Sequence, residues 1–410
     1  MTRGAASIVM CAAAALGVAD SACAVVSHPA TADSRVETEV RTIAEELIRD
    51  SASRRGLRRD TGAGWDGHPF LTSSDGSFRL EFEGRFQIRY VFNTVDEATD
   101  ADDQTESGFE ARRVRTIFSG HVGDPSLTYK VQSTFRRDGG ALRLEDAFIS
   151  KRLENGVYLR IGQFRPPLTR EANVSTFRMT AVERSIAHGA IELTRSQGIE
   201  IGWRGDRMSL RGSFNDGQGA ANSVALSEES DWAFSARAEF RAAGAWRRFR
   251  DFTSPRGEQT ALLFGAGAGV QRDDDGTDEA DEYRWTIDAS AEFDGAHLYT
   301  MFGQVRTDAP GHGESVVSVA VGQGGVFVTD SLELFGRIEW GDDGSADDLL
   351  LATIGATKFW HGHALKWTTD VGYAFDRVTD TFASGGAGWR ADTDGSSGQT
   401  VVRTQIQLMF

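Results

Sequence analysis

The stretch FRLEFEGRFQIRYVFN, residues 78–93, alternates apolar with charged or polar side chains along its length. One face of an extended strand would carry Phe78, Leu80, Phe82, Phe86, Ile88, Tyr90 and Phe92, and the other face would carry charge. A period of two residues indicates a β-strand with one apolar and one wet side. The chain ends in the same pattern, TVVRTQIQLMF at residues 400–410. Because chain ends usually fray, so regular an end predicts a strand that is paired to a neighbour.

About sixteen such segments follow one another, each near the roughly 9–11 residues that a tilted strand needs to cross a bilayer. After residue 26 no run of 18 apolar residues occurs, which excludes a helical membrane protein. The pattern predicts an all-β fold, a transmembrane antiparallel β-barrel of about 16 strands whose last strand pairs with its first. An arginine facing lipid at mid-membrane costs about 2–4 kcal/mol, so the charged face is expected to line a hydrated interior.

The gaps between the segments sort by length. Gaps after odd-numbered strands are long and acidic, as at 94–107, 272–282 and 341–348. Gaps after even-numbered strands are tight, with one exception at 242–258. Short turns on one rim and long loops on the other are typical of outer-membrane barrels, with the short turns facing the periplasm. The acidic loops are either solvated tips or sites where divalent cations bridge to lipopolysaccharide.

The N-terminus predicts a signal peptide over residues 1–24, with Arg3, an alanine-rich apolar stretch and a small-x-small site at Ala22-Cys23-Ala24. Both cysteines of the chain would leave with it. Residues 25–64 are predicted to form a periplasmic helix, over 33–50, and a polar linker. The helix is either a plain amphipathic helix or a short oligomerising coil. Residues 65–410 are assigned to the barrel.

Composition limits the possible functions. The 410-residue chain has a formal net charge of −16, which argues against nucleic-acid binding. It contains no nucleophile-elbow, phosphate-loop or zinc-hydrolase pattern, so no enzyme activity is predicted. No cofactor is predicted either. His361 and His363 flank one glycine, but too few further ligands lie nearby in sequence to predict a metal site.

Interior arginines are the candidate functional residues, because rings of arginine or lysine in a pore favour anions. The predicted pore-lining, anion-binding set is Arg79, Arg85, Arg89, Arg113, Arg115, Lys130, Arg136 and Arg160. The alternative is that these charges pair across the lumen and only hold the wall. The longest gap, residues 165–193, carries Arg165, Arg170, Arg178 and Arg184. It is predicted either to fold inward as a constriction loop or to form a surface lid or trimer contact.

Several motifs resemble the phosphate-selective porin O/P family. The resemblance is strongest in residues 108–200, where Gly162-Gln163-Phe164 is followed by Pro167 and later by Glu183-Arg184-Ser185. It implies a 16-stranded barrel, a homotrimer, an inward-folded third outer loop, and uptake of phosphate or polyphosphate through an arginine ladder. The terminal Phe410, with alternating Leu408 and Ile406, resembles the signal read by the outer-membrane assembly machinery.

Three functions remain open from the sequence. The first is a passive outer-membrane porin of a Gram-negative bacterium that prefers small anions such as phosphate and contacts outer-membrane lipids. The second is a structural or adhesive barrel with a blocked lumen. The third is a soluble exported β-protein.

Overall fold

The computed structural model describes residues 61–96, 105–224, 230–274, 279–309, 313–346, 348–392 and 398–410. These residues form 18 antiparallel strands in a single sheet. The strands are β1 Thr61–Trp65, β2 Pro69–Ser73, β3 Phe78–Val95, β4 Thr105–Val122, β5 Leu127–Phe135, β6 Leu142–Arg152, β7 Val157–Phe164, β8 Ser196–Arg204, β9 Met208–Asn215, β10 Ser230–Ala243, β11 Ala261–Asp274, β12 Glu279–Phe293, β13 Ala296–Ala309, β14 Gly313–Thr329, β15 Leu332–Asp342, β16 Leu349–His361, β17 Leu365–Ala374 and β18 Gln399–Met409. The signal peptide and the 33–50 helix that the sequence predicts lie outside the described residues.

Strands β3 to β18 close into a 16-stranded barrel, as predicted. Each strand pairs with the next, and β18 pairs with β3 in a register that runs from Gln399 opposite Val95 to Met409 opposite Arg85. The sheet therefore leaves no open edge around the ring, which is what a bilayer requires of a β-structure. None of the described helices is long and apolar enough to cross a membrane.

The hairpin of β1 and β2 precedes the barrel. Strand β2 pairs with the start of β3, from Phe70 opposite Glu81 to Thr72 opposite Arg79, and the Arg79 guanidinium lies 4.1 Å from the centre of the Phe70 ring. The predicted linker reached residue 64, but Thr61–Trp65 is a strand paired to β2. The linker prediction missed this strand because a five-residue segment carries too little alternation to stand out.

Strand faces follow the sequence alternation. Ile88 is half exposed on the outer surface, whereas the neighbouring Arg89 is only 2% exposed and points inward. The closing strand repeats the arrangement, with Ile406 and Leu408 exposed and Arg403 buried. In a soluble protein the apolar residues are buried and the charged residues are exposed. Here the arrangement is reversed, as expected for a protein whose outer surface contacts the lipid bilayer.

The interior differs from the hydrated lumen that the sequence predicts. Inward side chains of β13, β14 and β16, with one residue each from β17 and β18, form an apolar core with buried residues of the 174–191 and 378–389 stretches. Its wall members include Tyr299, Met301, Val305, Val319, Val321, Leu349, Leu351, Ala374 and Val401. The inner wall of β3 to β12 is predominantly polar, and β15, β17 and β18 also turn charged side chains inward, including Glu339, Lys366, Asp370 and Arg403. The alternation did not reveal this because β13, β14 and β16 carry apolar residues on both faces.

The two ends of the barrel differ as expected. One end carries the turns at 123–126, 294–295 and 362–364 and is called here the short-turn end; the opposite end is the long-loop end. A single connection at the short-turn end is long. It spans residues 244–260 between β10 and β11 and is called the collar.

Candidate functional site

The connection between β7 and β8, residues 165–195, folds into the barrel and is called the inner loop. It contains helix α1 (Arg170–Asn173), a 3-10 turn at Thr176–Arg178 and helix α2 (Ile186–Ile191). Each begins at a hydroxyl N-cap: Thr169 accepts from Ala172 N, and Ser185 accepts from His188 N. Such caps satisfy amide groups that would otherwise lack partners in the interior, so short helical turns can form there.

The wall of the barrel holds the inner loop by its backbone. Arg237 donates to Leu168 O at 2.9 Å, and Lys366 donates to Met179 O at 2.7 Å. In the reverse direction, Asp370 Oδ2 of the wall accepts a hydrogen bond from Val182 N of the inner loop at 2.9 Å. Buried backbone groups need such partners, and here charged wall side chains supply them. The loop is thus fixed across the lumen rather than lying over the surface.

Small residues on β11 make room for the start of this loop. The inward positions of the GAGAG stretch include Gly265 and Gly267, and a Cβ atom added at Gly267 would lie 2.3 Å from Leu168 O. Glycine in a strand interior often marks the close approach of another backbone, which is its role at Gly267.

Glu183 of the inner loop is buried among three arginines. Its carboxylate accepts from Arg89 Nη1 at 2.7 Å, from Arg112 Nε at 2.6 Å and from Arg113 Nη2 at 2.6 Å. Arg337 donates to the Glu183 carbonyl oxygen at 2.9 Å. The inner loop is therefore tied to β3, β4 and β15 through one residue.

Two β-bulges bring consecutive charged residues to the same face. In the β3–β4 pair Gln87 opposes Arg113 and Ile88 opposes Ala111, so Arg112 is the extra residue and also points inward to Glu183. In the β5–β6 pair Glu145 is the extra residue beside Asp146. A bulge adds one residue to a strand and re-aims a side chain, which here keeps both charged pairs out of lipid.

A cavity of about 460 Å³ lies between the inner loop, the collar and the polar wall. Its cations from the wall strands are Arg85, Arg115, Lys130, Arg160, Arg204 and Arg211. The inner loop adds Arg165, Arg170, Arg184 and Arg195, and the collar adds Arg247 and Arg250. The lining thus holds twelve cationic side chains but only two carboxylates, Asp146 and Glu239. It is called the basic cavity.

Most of these cations also have a carboxylate partner. Lys130 Nζ lies 2.6 Å from Asp146, Arg115 Nε lies 2.9 Å from Glu145, and Arg165 is ion-paired with Glu192. The same cations thus line the cavity and form ion pairs. Anion binding and pairing across the lumen, the two roles that the sequence left open, therefore do not exclude each other. Within the described residues Arg204 has no carboxylate within ion-pair distance and instead lies 5.4 Å from the Trp246 ring.

The structure divides the predicted site residues into two groups. Those that line the basic cavity are Arg85, Arg115, Lys130, Arg160, Arg165, Arg170 and Arg184. Those that do not are Arg79, Arg89, Arg113, Arg136 and Arg178. Arg89 and Arg113 point inward but are held by Glu183, and Arg79 pairs with Glu81 and Asp66 near the short-turn end.

Arg136 lies beyond the end of β5 on an exposed turn at the long-loop end, and not on the inner wall. It forms an ion pair with Asp138 at 2.8 Å, and its guanidinium lowers the pKa of that carboxyl group. The sequence placed Arg136 inside because the alternation was extended one residue past the strand.

Six cations at the site lie outside the predicted set, and two of them, Arg204 and Arg211, are on the wall strands β8 and β9. Arg112 and Arg195 contact the carboxylates that hold the inner loop, and Arg247 and Arg250 come from the collar. The Arg112-Arg113 dipeptide within a strand was a usable signal, since only a bulge keeps both out of lipid. The exceptional length of the 242–258 gap was the signal for the collar. Among the described residues, no group of three or more His, Cys, Asp or Glu side chains is placed to hold a metal ion.

Comparisons with known proteins agree with this architecture. The model of the family described as phosphate-selective porin O and P matches residues 82–307, more than half of the chain. A search of curated proteins finds no match. Solved structures with the same fold include an anion-selective porin from Comamonas acidovorans, with a TM-score of 0.61 and 13% identity over 81% of this chain and 99% of that one.

Two further solved structures share the fold. OmpT of Vibrio cholerae has a TM-score of 0.56 and 10% identity over 82% of this chain and 98% of that one. The outer-membrane channel DcaP of Acinetobacter baumannii has a TM-score of 0.52 and 13% identity over 83% and 99%. At these identities the likeness shows the fold alone, while the family match covers the strands and the inner loop that form the site. This chain belongs to the phosphate-selective porin O and P family and is an outer-membrane channel rather than an enzyme.

Proposed function

We propose that the protein is a passive diffusion pore that prefers small anions, with phosphate-like oxyanions as the preferred class. The observation that carries this proposal is the basic cavity of about 460 Å³, whose twelve cations outnumber the six carboxylates of the described residues that line it or pair with them. Fixed cations in a narrow pore raise the local concentration of anions and repel cations. Guanidinium groups also bind oxyanions through two parallel hydrogen bonds, which favours phosphate over a spherical ion.

In this proposal the ions pass along one side of the barrel and not through its centre. The apolar core lies against β13, β14 and β16, and the basic cavity lies against the wall from β3 to β11. Anions would pass along Arg85, Arg115 and Arg160, opposite Arg165 of the inner loop. The short-turn end would face the periplasm.

A structural barrel with a blocked lumen is the second candidate. The observation in its favour is the extent to which the inner loop fills the barrel, with residues such as Leu168, Phe177 and Ile191 almost completely buried. It predicts no stepwise single-channel currents in planar bilayers, whereas the pore proposal predicts ohmic steps.

Selectivity is the first prediction. In a planar bilayer with a KCl gradient, the wild-type reversal potential is expected to have the sign of an anion-selective channel. Arg165→Ala removes a cavity-lining cation and leaves Glu192 without this partner. We expect the chloride-to-potassium permeability ratio to fall about threefold, since one unit charge at ~4–6 Å in water changes ion energies by roughly 1 kcal/mol.

Arg136→Ala is the matched control, because Arg136 is exposed and lies outside the basic cavity. It is expected to leave the permeability ratio at the wild-type value. A cation-selective wild type, or equal effects of the two substitutions, would contradict the anion proposal.

Further proposals follow from the family. The chain is proposed to assemble as a homotrimer among outer-membrane lipids and lipopolysaccharide; an OmpT structure of Vibrio cholerae is described as a trimer form. Export by a signal peptide over residues 1–24, and recognition of Phe410 by the assembly machinery, belong to the same proposal.

A further inference from the structure

The collar lies across the short-turn end of the barrel. On one side, Trp246 Nε1 donates to Gly205 O at 3.1 Å, in the turn between β8 and β9. On the other side, the Thr253 hydroxyl lies 3.2 Å from His363 Nε2, in the turn between β16 and β17. Further along, Arg256 Nε donates to Phe327 O at 3.0 Å. The segment therefore runs from one side of the opening to the other.

The collar is packed directly against the inner loop. Phe249 and Phe252 are buried, and the Phe252 ring lies 4.8 Å from the ring of Tyr299 on the wall. Arg170 of the inner loop donates to Phe249 O and to Asp251 O, each at 3.0 Å, and its guanidinium lies 4.7 Å from the Phe252 ring. These contacts fix the collar as an inward element and not as a mobile external turn.

Two arginines of the collar remain open to the cavity. In the stretch WRRFR, residues 246–250, the central Arg248 forms ion pairs with Glu258 at 2.9 Å and with Glu292 at 3.0 Å. Arg247 and Arg250 are exposed, line the basic cavity, and have no carboxylate within ion-pair distance among the described residues. Like Arg204 of the wall, they therefore carry charge at this end of the cavity that no carboxylate of the described residues neutralises.

We propose that the collar is a second selectivity element, in which Arg247 and Arg250 form an anion-binding station at the short-turn mouth of the pore. The station would take inorganic oxyanions, because each guanidinium group can donate paired hydrogen bonds to such an ion. This inference rests on the proposed function, since it requires that ions pass through the basic cavity. It places the specificity of the channel in two inward segments that enter from opposite ends.

The double variant R247Q/R250Q tests the station in planar bilayers. The expected result is an about tenfold fall in the chloride-to-potassium permeability ratio, as two unit charges leave the mouth. Inorganic phosphate added to the chloride solution is expected to reduce the wild-type current at a lower concentration from the short-turn side than from the other side. This difference between the sides is expected to disappear in the double variant.

The matched control is R152Q/R207Q, which removes two exposed arginines from the same end but outside the basic cavity. Retained heat-modifiable mobility on gels checks that both variants are folded. If R247Q/R250Q matches this control in permeability ratio and phosphate block, the station is refuted while the pore stands. A cation-selective or non-conducting wild type would refute the proposed function instead.

Discussion

Glu183→Gln is expected to release the inner loop and to give larger, noisier single-channel currents than the wild type. The substitution keeps the shape of the side chain but removes the charge that faces Arg89, Arg112 and Arg113 at 2.6–2.7 Å. Breaking a buried ion pair by removing one partner typically costs about 3–5 kcal/mol. The unfolding temperature of the detergent-solubilised protein is therefore expected to fall, together with the change in conductance.

Glu314→Gln provides the control. Glu314 pairs with Arg306 at 2.9 Å, but both side chains are about half exposed, and exposed pairs contribute only about 0–1 kcal/mol. Its unfolding temperature and conductance are expected to stay at wild-type values. If Glu183→Gln behaved like this control, the arginine cluster would not be what holds the inner loop.

Gly84→Val and Phe410→Ala are both expected to impair closure of the barrel. Phe410 exchanges two backbone hydrogen bonds with Gly84, at 2.8 and 3.0 Å, and its ring stacks near Phe86 with 5.9 Å between centres. A Cβ atom at position 84 would lie 2.5 Å from Phe410 Cζ. The Phe410 ring must move away to admit that atom, so both substitutions remove the packing of this ring on β3, and we expect about tenfold less folded protein in outer-membrane fractions.

Phe293→Ala is the comparison for these two variants. Phe293 ends β12 at the same end of the barrel and is exposed to a similar degree, but it does not join the first strand to the last. Its heat-modifiable band is expected to remain near the wild-type amount. Equal losses for Phe293→Ala and Phe410→Ala would show that any rim aromatic residue matters as much as the closing one.

The strand faces and the closure of the ring were predictable from sequence. A charged side chain on the lipid-facing surface is costly, so residues such as Arg85 and Arg89 by themselves decide which face of a strand points into the barrel. The terminal alternation of Ile406 and Leu408 likewise predicted that β18 would find a partner. Both predictions need only the alternation of residues within each strand and the rule that charged side chains avoid lipid. A single sequence is enough to apply them.

The contents of the barrel were not predictable to the same degree. Strict alternation would send Arg112 outward, whereas a bulge turns it toward Glu183, a residue 71 positions later in the chain. The apolar core depends on which segments enter the barrel, and the apolar residues on both faces of β14 and β16 do not show which segments those are. Arg136 was misplaced for a related reason, because alternation alone does not show where a strand ends.

The path of ions through the barrel is tested most directly by cysteine modification during recording. Both natural cysteines lie in the predicted signal peptide, so an introduced cysteine would be the only thiol in the processed protein. Asn173 is exposed at the basic cavity, and Val321 points into the apolar core. A negatively charged methanethiosulfonate reagent is expected to reduce the current of Asn173→Cys channels and to leave that of Val321→Cys channels unchanged. Block at Val321→Cys with none at Asn173→Cys would contradict an anion path through the basic cavity.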